Sequence, residues 1–329
     1  MQSLQIPIWE NGEYDFPYTF GFVPKIHAFL HEDDRVRPAM LVIPGGGYGY
    51  CSEREGKPVA MTFFEKGYQT FVLPYTTNLF FLKPLENQPL RDITRAMRIL
   101  RANAEEFRIH SDEIIVCGFS AGAHLSGSLA LYHDEILDLK YPDISARPDL
   151  LLLCYPVITS GAFAHKDSMR ALLGDHPTEA QLEKASLEKN VTSSMPATFL
   201  FQTAGDGAVP VENSCLMAEA LKKAGVPFAH HVFTTGGHGL SIATQELTDR
   251  ENCDLFTLEQ VYTLLEAWEK GLCPEIEEEA AQAMIRKFYP RKDPAYIDLS
   301  KKPNDEVAVW PLLADQWIRT MLEKNKSCL

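Results

Sequence analysis

The run IIVCGFSAGAHLSGSLALYH, residues 114–133, decides how this chain is read. Its opening residues, 114–117, are apolar and strand-like, and the residues after Gly122 read as a helix. Ser120 lies at the join, with Gly118 and Gly122 two positions away on either side. Where a strand turns sharply into a helix, the joining residue is held in a strained conformation above the sheet edge, and small neighbours let the backbone pass. A serine hydroxyl there is either a nucleophile or merely a small side chain in a tight turn. The turn alone does not decide, because GxSxG is a frequent pattern.

Outward from this join the rhythm repeats. AMLVIP (39–44), YQTFVLPY (68–75), DLLLLCYP (149–156), ATFLFQTAGD (197–206) and FAHHVFTT (228–235) read as strands. KPVAMTFFEKG (57–67), PLRDITRAMRILRANAEEF (89–107) and PVENSCLMAEALKKAG (210–225) read as helices; Ile93, Ala96, Met97, Leu100 and Ala104 fall at helical spacing. Near-continuous apolar strands separated by helices predict an α/β fold: a mostly parallel central sheet with helices on both faces. Residues 246–306 break the rhythm, being charged and helix-forming, as in EIEEEAAQAMIRKFYPRKD. VWPLLADQWIRTMLEKN then reads as a terminal amphipathic helix. The expectation is a single domain over 1–329, with a core of about 38–245 and 307–329 and a helical insertion over about 246–306.

The bulk composition excludes several classes. Against 31 basic residues stand 45 acidic ones, a net charge of −14. Such a surface repels phosphate backbones and anionic lipid heads, which argues against nucleic-acid or membrane partners. The apolar runs are strand-sized, short of the roughly 20 residues of a membrane span. The start, MQSLQIPIWENGEYDF, lacks a basic region followed by an apolar stretch, so no signal peptide and a cytoplasmic location are expected. The seven cysteines are scattered, without spacing for zinc, and are expected to be reduced thiols.

A serine needs a base to take its proton and donors to hold the oxyanion that forms. PGGGYGY (44–50) directly follows the first core strand. Three glycines let backbone N–H groups approach a ligand, and Gly46 and Gly47 are the candidate oxyanion donors, joined by the Ala121 amide at the helix start. A flexible turn or a phosphate loop is the competing reading, but the Walker lysine and a GxGxxG spacing are both missing. Asp206 lies just past a strand end and is the candidate acid; Glu212 is an alternative with a sufficient role near a helix N-terminus. Of ten histidines, His238 in TTGGHGL follows the last core strand in a glycine-flanked loop, where an imidazole can reach over the sheet edge. His124, one helical turn after Ser120, reads as a buried hydrogen-bonded residue. The order Ser120, Asp206, His238 is the nucleophile–acid–base order of one hydrolase scaffold. Tyr48, Tyr50 and Arg54 are candidate substrate contacts. The tyrosines serve either as a stacking face for a substrate or as packing, and Arg54 and Glu55 either line the entrance or pair with neighbours.

Taken together, PGGGY, CSEREGKPVA, GFSAGAHL, CYPVITSG with LLG, DGAVPVENS and GGHGL resemble the esterase/lipase branch of α/β-hydrolases that includes acetylxylan esterases and related carbohydrate esterases. The resemblance covers about 38–245 and the terminal helix near 307–325. It implies a serine carboxylesterase with no cofactor and no metal, which removes acetyl groups from sugar hydroxyls through an acyl-enzyme on Ser120. Asp206 and His238 would complete the triad, and Gly46, Gly47 and Ala121 the oxyanion hole. The implied partner is a small-molecule ester, an acetylated xylo- or related oligosaccharide; a homo-oligomer is left open. The chain departs from the lipase-like pattern at Pro44, where that branch has histidine, at Ala123, where glycine is common, and in the 246–306 insertion. Other acyl hydrolases on the same scaffold remain alternatives: a short-chain carboxylesterase, a feruloyl esterase, or a peptidase- or arylformamidase-like enzyme. An inactive binding protein would require a broken triad or oxyanion loop, and all the parts are present.

Overall fold

The computed structural model describes residues 1–248, 253–293, 295–297 and 302–327. Parts of the expected insertion (249–252, 294 and 298–301) and the last two residues of the terminal segment lie outside the described residues. The sheet has eight strands: β1 (Gln2–Pro7), β2 (Lys25–Leu30), β3 (Arg37–Ile43), β4 (Gln69–Val72), β5 (Ile109–Phe119), β6 (Leu150–Cys154), β7 (Ala197–Thr203) and β8 (Phe228–Phe233). Their order across the sheet is β1-β2-β4-β3-β5-β6-β7-β8. From β4 and β3 through to β8 every neighbouring pair is parallel, whereas β2 runs antiparallel to both β4 and β1.

Alternate residues of a strand face opposite sides of a sheet. Ala39, Leu41 and Ile43 of β3 enter one apolar core, and Met40 and Val42 enter the other. Both sides are covered, so these strands read as unbroken apolar runs. The helices Gln88–Ala102, Ala121–Tyr132 and Glu212–Ala224 pack on the first side through Ile93, Met97, Leu125, Leu129, Met217 and Leu221. Lys57–Glu65 and Trp310–Ser327 cover the second through Val59, Phe63, Trp310, Ala314 and Ile318.

Two features exceed the expected layout. The sheet begins at residue 2, so β1 and β2 extend it beyond the expected start near 38. Between β6 and β7 lie three short helices, Lys166–Leu173, Glu179–Ala185 and Leu187–Asn190. His165 caps the first, and Thr178 opens the second with a capping box. In the 246–306 segment, Leu258, Val261, Leu265 and Phe288 form a small cluster packed with Tyr50, Leu79 and Phe80. Among the described residues, no helix is long and apolar enough to cross a membrane.

Register explains where the loops meet. Ile43 pairs with Gly118, and Phe119 pairs with Cys154. The 44–50 loop, Ser120 and Tyr155 therefore leave the carboxyl edge of the sheet side by side, the edge where open α/β sheets place ligands.

Candidate active site

Ser120 has φ 51° and ψ −116°. A non-glycine residue there costs on the order of 1–3 kcal/mol and persists only when its surroundings over-determine it. Those surroundings are visible. The Ser120 amide donates to the Cys154 carbonyl at 3.0 Å, and the Ser120 carbonyl accepts from the amides of Ala123, His124 and Val157 at 3.1–3.2 Å. A Cβ on Gly122 would stand 2.3 Å from the Ile43 carbonyl oxygen, so the helix can enter this close to β3 only with glycine at that position.

The three candidate triad residues converge. His238 Nε2 lies 2.8 Å from Ser120 Oγ, and His238 Nδ1 lies 2.7 Å from Asp206 Oδ2. A carboxylate accepts, so Nδ1–H donates to Asp206 and the Nε2 lone pair faces the serine hydroxyl. The Asp206 side chain is fully buried, and its Oδ1 accepts from the amides of Ala208 and Val209 at 3.0 and 2.9 Å. The Tyr155 ring stands edge-on to His238, with centroids 5.1 Å apart. Glu212 instead begins the helix Glu212–Ala224, as an acid in its first turn.

The glycine loop lies against the serine. A Cβ on Gly45 would fall 2.9 Å from Ser120 Cβ. Gly46 has φ +124°, and a Cβ there would strike the Tyr50 carbonyl oxygen at 2.1 Å. The Gly46 and Gly47 amides donate to no group among the described residues. Ala121 opens its helix, so its amide belongs to the first turn, which lacks intrahelical acceptors.

The candidate substrate contacts fare differently. Tyr48 is 1% exposed and points inward; its φ of 60° turns the ring under the loop. Its hydroxyl lies 2.8 Å from His124 Nδ1, and its ring packs edge-on to Tyr75. This corrects the sugar-stacking expectation for Tyr48, because its side chain is almost wholly buried. Tyr50 is half-buried, with Phe288 edge-on to its ring and Lys287 Nζ 4.7 Å from its centroid. Arg54 is half-buried, and its carbonyl accepts from Ser241 Oγ at 2.6 Å.

Two buried groups hold the loops together: Glu55, which the sequence offered only as an entrance residue or a pairing partner, and Asn213, which the sequence did not single out. Glu55 is buried, and both its carboxylate oxygens accept: from the Gly45 amide at 2.8 Å and from the Tyr155 hydroxyl at 2.7 Å. Tyr155 in turn accepts from the Ser241 amide at 3.0 Å. Glu55 therefore ties the glycine loop to the loop carrying His238, instead of lining an entrance. Buried Asn213 accepts from the amides of Ile158 and Thr159 and donates to the Phe163 and Pro210 carbonyls. It staples the 155–165 loop to the loop carrying Asp206. The contacts of Glu55 and Asn213 join distant segments, so local pattern carried no signal for either.

The 246–306 segment reaches this region through its C-terminal part. Arg291 pairs with buried Glu53 at 2.6 Å. Asn304 and Glu306 bond to Thr234 and Thr235, just before His238. A cavity of about 260 Å³ beside His238 is walled by Lys302, Pro303 and Asn304.

His124 sits under the elbow. Its Nε2 lies 2.9 Å from the Ala185 carbonyl, which can only accept, so Nε2 is protonated and Tyr48 donates to Nδ1. Burial lowers its pKa from 6.5 to about 4. As pH falls through that window, the unfolded chain takes up a proton that the folded one refuses. His124's contribution to stability is thus full above about 6.5 and declines toward 4. The stability advantage of wild type over His124→Asn is expected to shrink by about 3 kcal/mol between neutral pH and pH ~4. Denaturant melts of both proteins across that range check this, and a constant advantage contradicts it.

The sheet, the strained serine at the end of β5 and the converging acid and imidazole define an α/β-hydrolase fold with a serine-hydrolase type of site. A family model described as BD-FAE matches residues 28–221, and the chain belongs to that family. It is 47% identical over 255 residues to endo-1,4-beta-xylanase B of Butyrivibrio fibrisolvens, covering 77% of this chain and 40% of that protein. It is 28% identical over 225 residues to an acetylxylan esterase of Xylanibacter ruminicola, covering 66% of this chain and 44% of that protein. The chain thus spans less than half the length of these two relatives. Among solved structures it resembles an acetyl ester-xyloside bifunctional hydrolase from Caldicellulosiruptor lactoaceticus, with a TM-score of 0.67 and 35% identity. That match covers 82% of this chain and 97% of the other.

Proposed function

We propose that this chain is a serine carboxylesterase that removes acetyl groups from acetylated xylo-oligosaccharides or closely related sugars. The observation that carries the chemistry is the Ser120–His238–Asp206 relay, at 2.8 and 2.7 Å, set against a glycine loop. His238 takes the proton of Ser120 as its oxygen attacks the acetyl carbonyl. The amides of Gly46, Gly47 and Ala121 hold the oxyanion. His238 then protonates the departing sugar hydroxyl, and a water activated by the same imidazole releases acetate. Asp206 stays ionised and holds the imidazole tautomer throughout. The sugar assignment is supported by the named activities of the similar proteins, an acetylxylan esterase and an acetyl ester-xyloside hydrolase.

The 246–306 segment is read as a helical insertion into one domain, walling the His238 side of the site. A cytoplasmic enzyme would meet imported oligosaccharides and not polymeric xylan; native protein found outside the cell overturns that part. The direct test is acetate release from acetylated xylo-oligosaccharides, with nitrophenyl acetate as a general ester control. Release from both is the expected result. Turnover of nitrophenyl acetate alone removes the sugar assignment and leaves a short-chain carboxylesterase, and silence on both removes the ester reading.

A further inference from the structure

The relay and the donor loop leave one imidazole beside the site without a role. His165 ends the 155–165 loop and caps the helix Lys166–Leu173. Its Nδ1 accepts from the Ser168 amide at 3.3 Å and lies 2.8 Å from Ser168 Oγ. An amide nitrogen can only donate, so Nδ1 carries the lone pair and the neutral ring bears its proton on Nε2. Burial, with the nearby His238 second, lowers the basicity of the ring and keeps it neutral. The Nε2–H makes no hydrogen bond among the described residues.

Position completes the case. A Cβ on Gly47 would stand 3.6 Å from His165 Cε1, so the ring edge adjoins the oxyanion loop. The ring is half-buried and fixed from both ends. Buried Ser168 holds Nδ1, and Asn213 Nδ2 holds the Phe163 carbonyl two residues before it. An oriented neutral donor therefore stands at the rim of the cleft. The ester carbonyl is already served by the loop amides, and an acetyl methyl group offers no acceptor. What remains is the alcohol side of the ester, which in a sugar carries oxygens on the carbons next to the acetylated one.

We infer that His165 is a substrate-positioning residue whose Nε2–H donates to a sugar oxygen neighbouring the acetylated position. This inference rests on the carbohydrate esterase reading above. The test uses the full chain with two variants. His165→Ser keeps a helix-capping oxygen and removes the ring donor; His165→Asn keeps both a cap and a shorter donor. On acetylated xylo-oligosaccharide, His165→Ser is expected to lower kcat/KM by about 10- to 100-fold, mostly through a raised KM, because a buried-rim donor to a bound hydroxyl acts in ground and transition states alike. On nitrophenyl acetate, whose leaving group carries no neighbouring hydroxyl, the change is expected to stay within about threefold. His165→Asn should fall between wild type and His165→Ser on the sugar. Equal losses on both substrates would mean that the residue only shapes the oxyanion loop, and no loss on either would mean that it touches nothing; each overturns the inference. Wild type inactive on the sugar but active on nitrophenyl acetate is a different failure: it removes the carbohydrate reading, and this inference falls with it.

Discussion

Ser120→Ala is expected to lower kcat on acetyl esters by about 10⁴- to 10⁶-fold while leaving the fold intact. The size follows from the loss of the only covalent route. Without Oγ no acyl-enzyme forms, and what remains is water attack assisted by the oxyanion donors. The fold should survive because the elbow is held by main-chain bonds, from the Ser120 amide to Cys154 and to the Ser120 carbonyl from three following amides. None of these uses the hydroxyl. Alanine also inherits the same positive φ, so melting temperature should change little. Initial rates on nitrophenyl acetate, labelling by a fluorophosphonate probe and a thermal melt check the three parts. Activity within about tenfold of wild type would move the nucleophile elsewhere and return Ser120 to a turn residue.

The parallel half of the sheet was legible because burial on both faces leaves a plain mark. LLLLC in β6 and the apolar run in β5 have no polar face to offer water. β1 left no such mark: QSLQIP is an edge strand with mostly exposed residues, so its pairing with β2 depends on a neighbour about 25 residues away. The site divides in the same way. Ser120, Asp206 and His238 each follow a strand end, and strand ends are readable; once those ends lie at one sheet edge, the three side chains meet. Tyr48 and Tyr50 look alike in the sequence, yet a positive φ at Tyr48 sends one ring under the loop while the other packs beside Phe288. Glu55 reads as one charge among several in SEREGK, because its meaning lies in Tyr155, 100 residues on. A buried carboxylate joining two catalytic loops is a product of tertiary packing, and no local pattern encodes its partner.

Asp206→Asn is expected to cost about 10⁴-fold in kcat, whereas Glu212→Gln should change it by less than about threefold. The two acids lie six residues apart and were both candidates, but their surroundings separate them. Asp206 meets His238 Nδ1 at 2.7 Å, and its second oxygen is held by the Ala208 and Val209 amides. Those amides demand an acceptor at Oδ1, so an asparagine keeps its oxygen there and turns its NH₂ toward the imidazole. Nδ1 must then accept, the ring proton moves to Nε2, and the serine faces a donor where it needs a base. The mutant should therefore fold normally and bind ester while failing at proton transfer. A fall confined to kcat, with KM and melting temperature near wild type, is the predicted signature. The Glu212 variant is the counter-test, since its carboxylate only occupies the first turn of the helix. If Glu212→Gln is the damaging change and Asp206→Asn is mild, the acid has been assigned to the wrong residue, and the imidazole must be oriented from the other side of the loop.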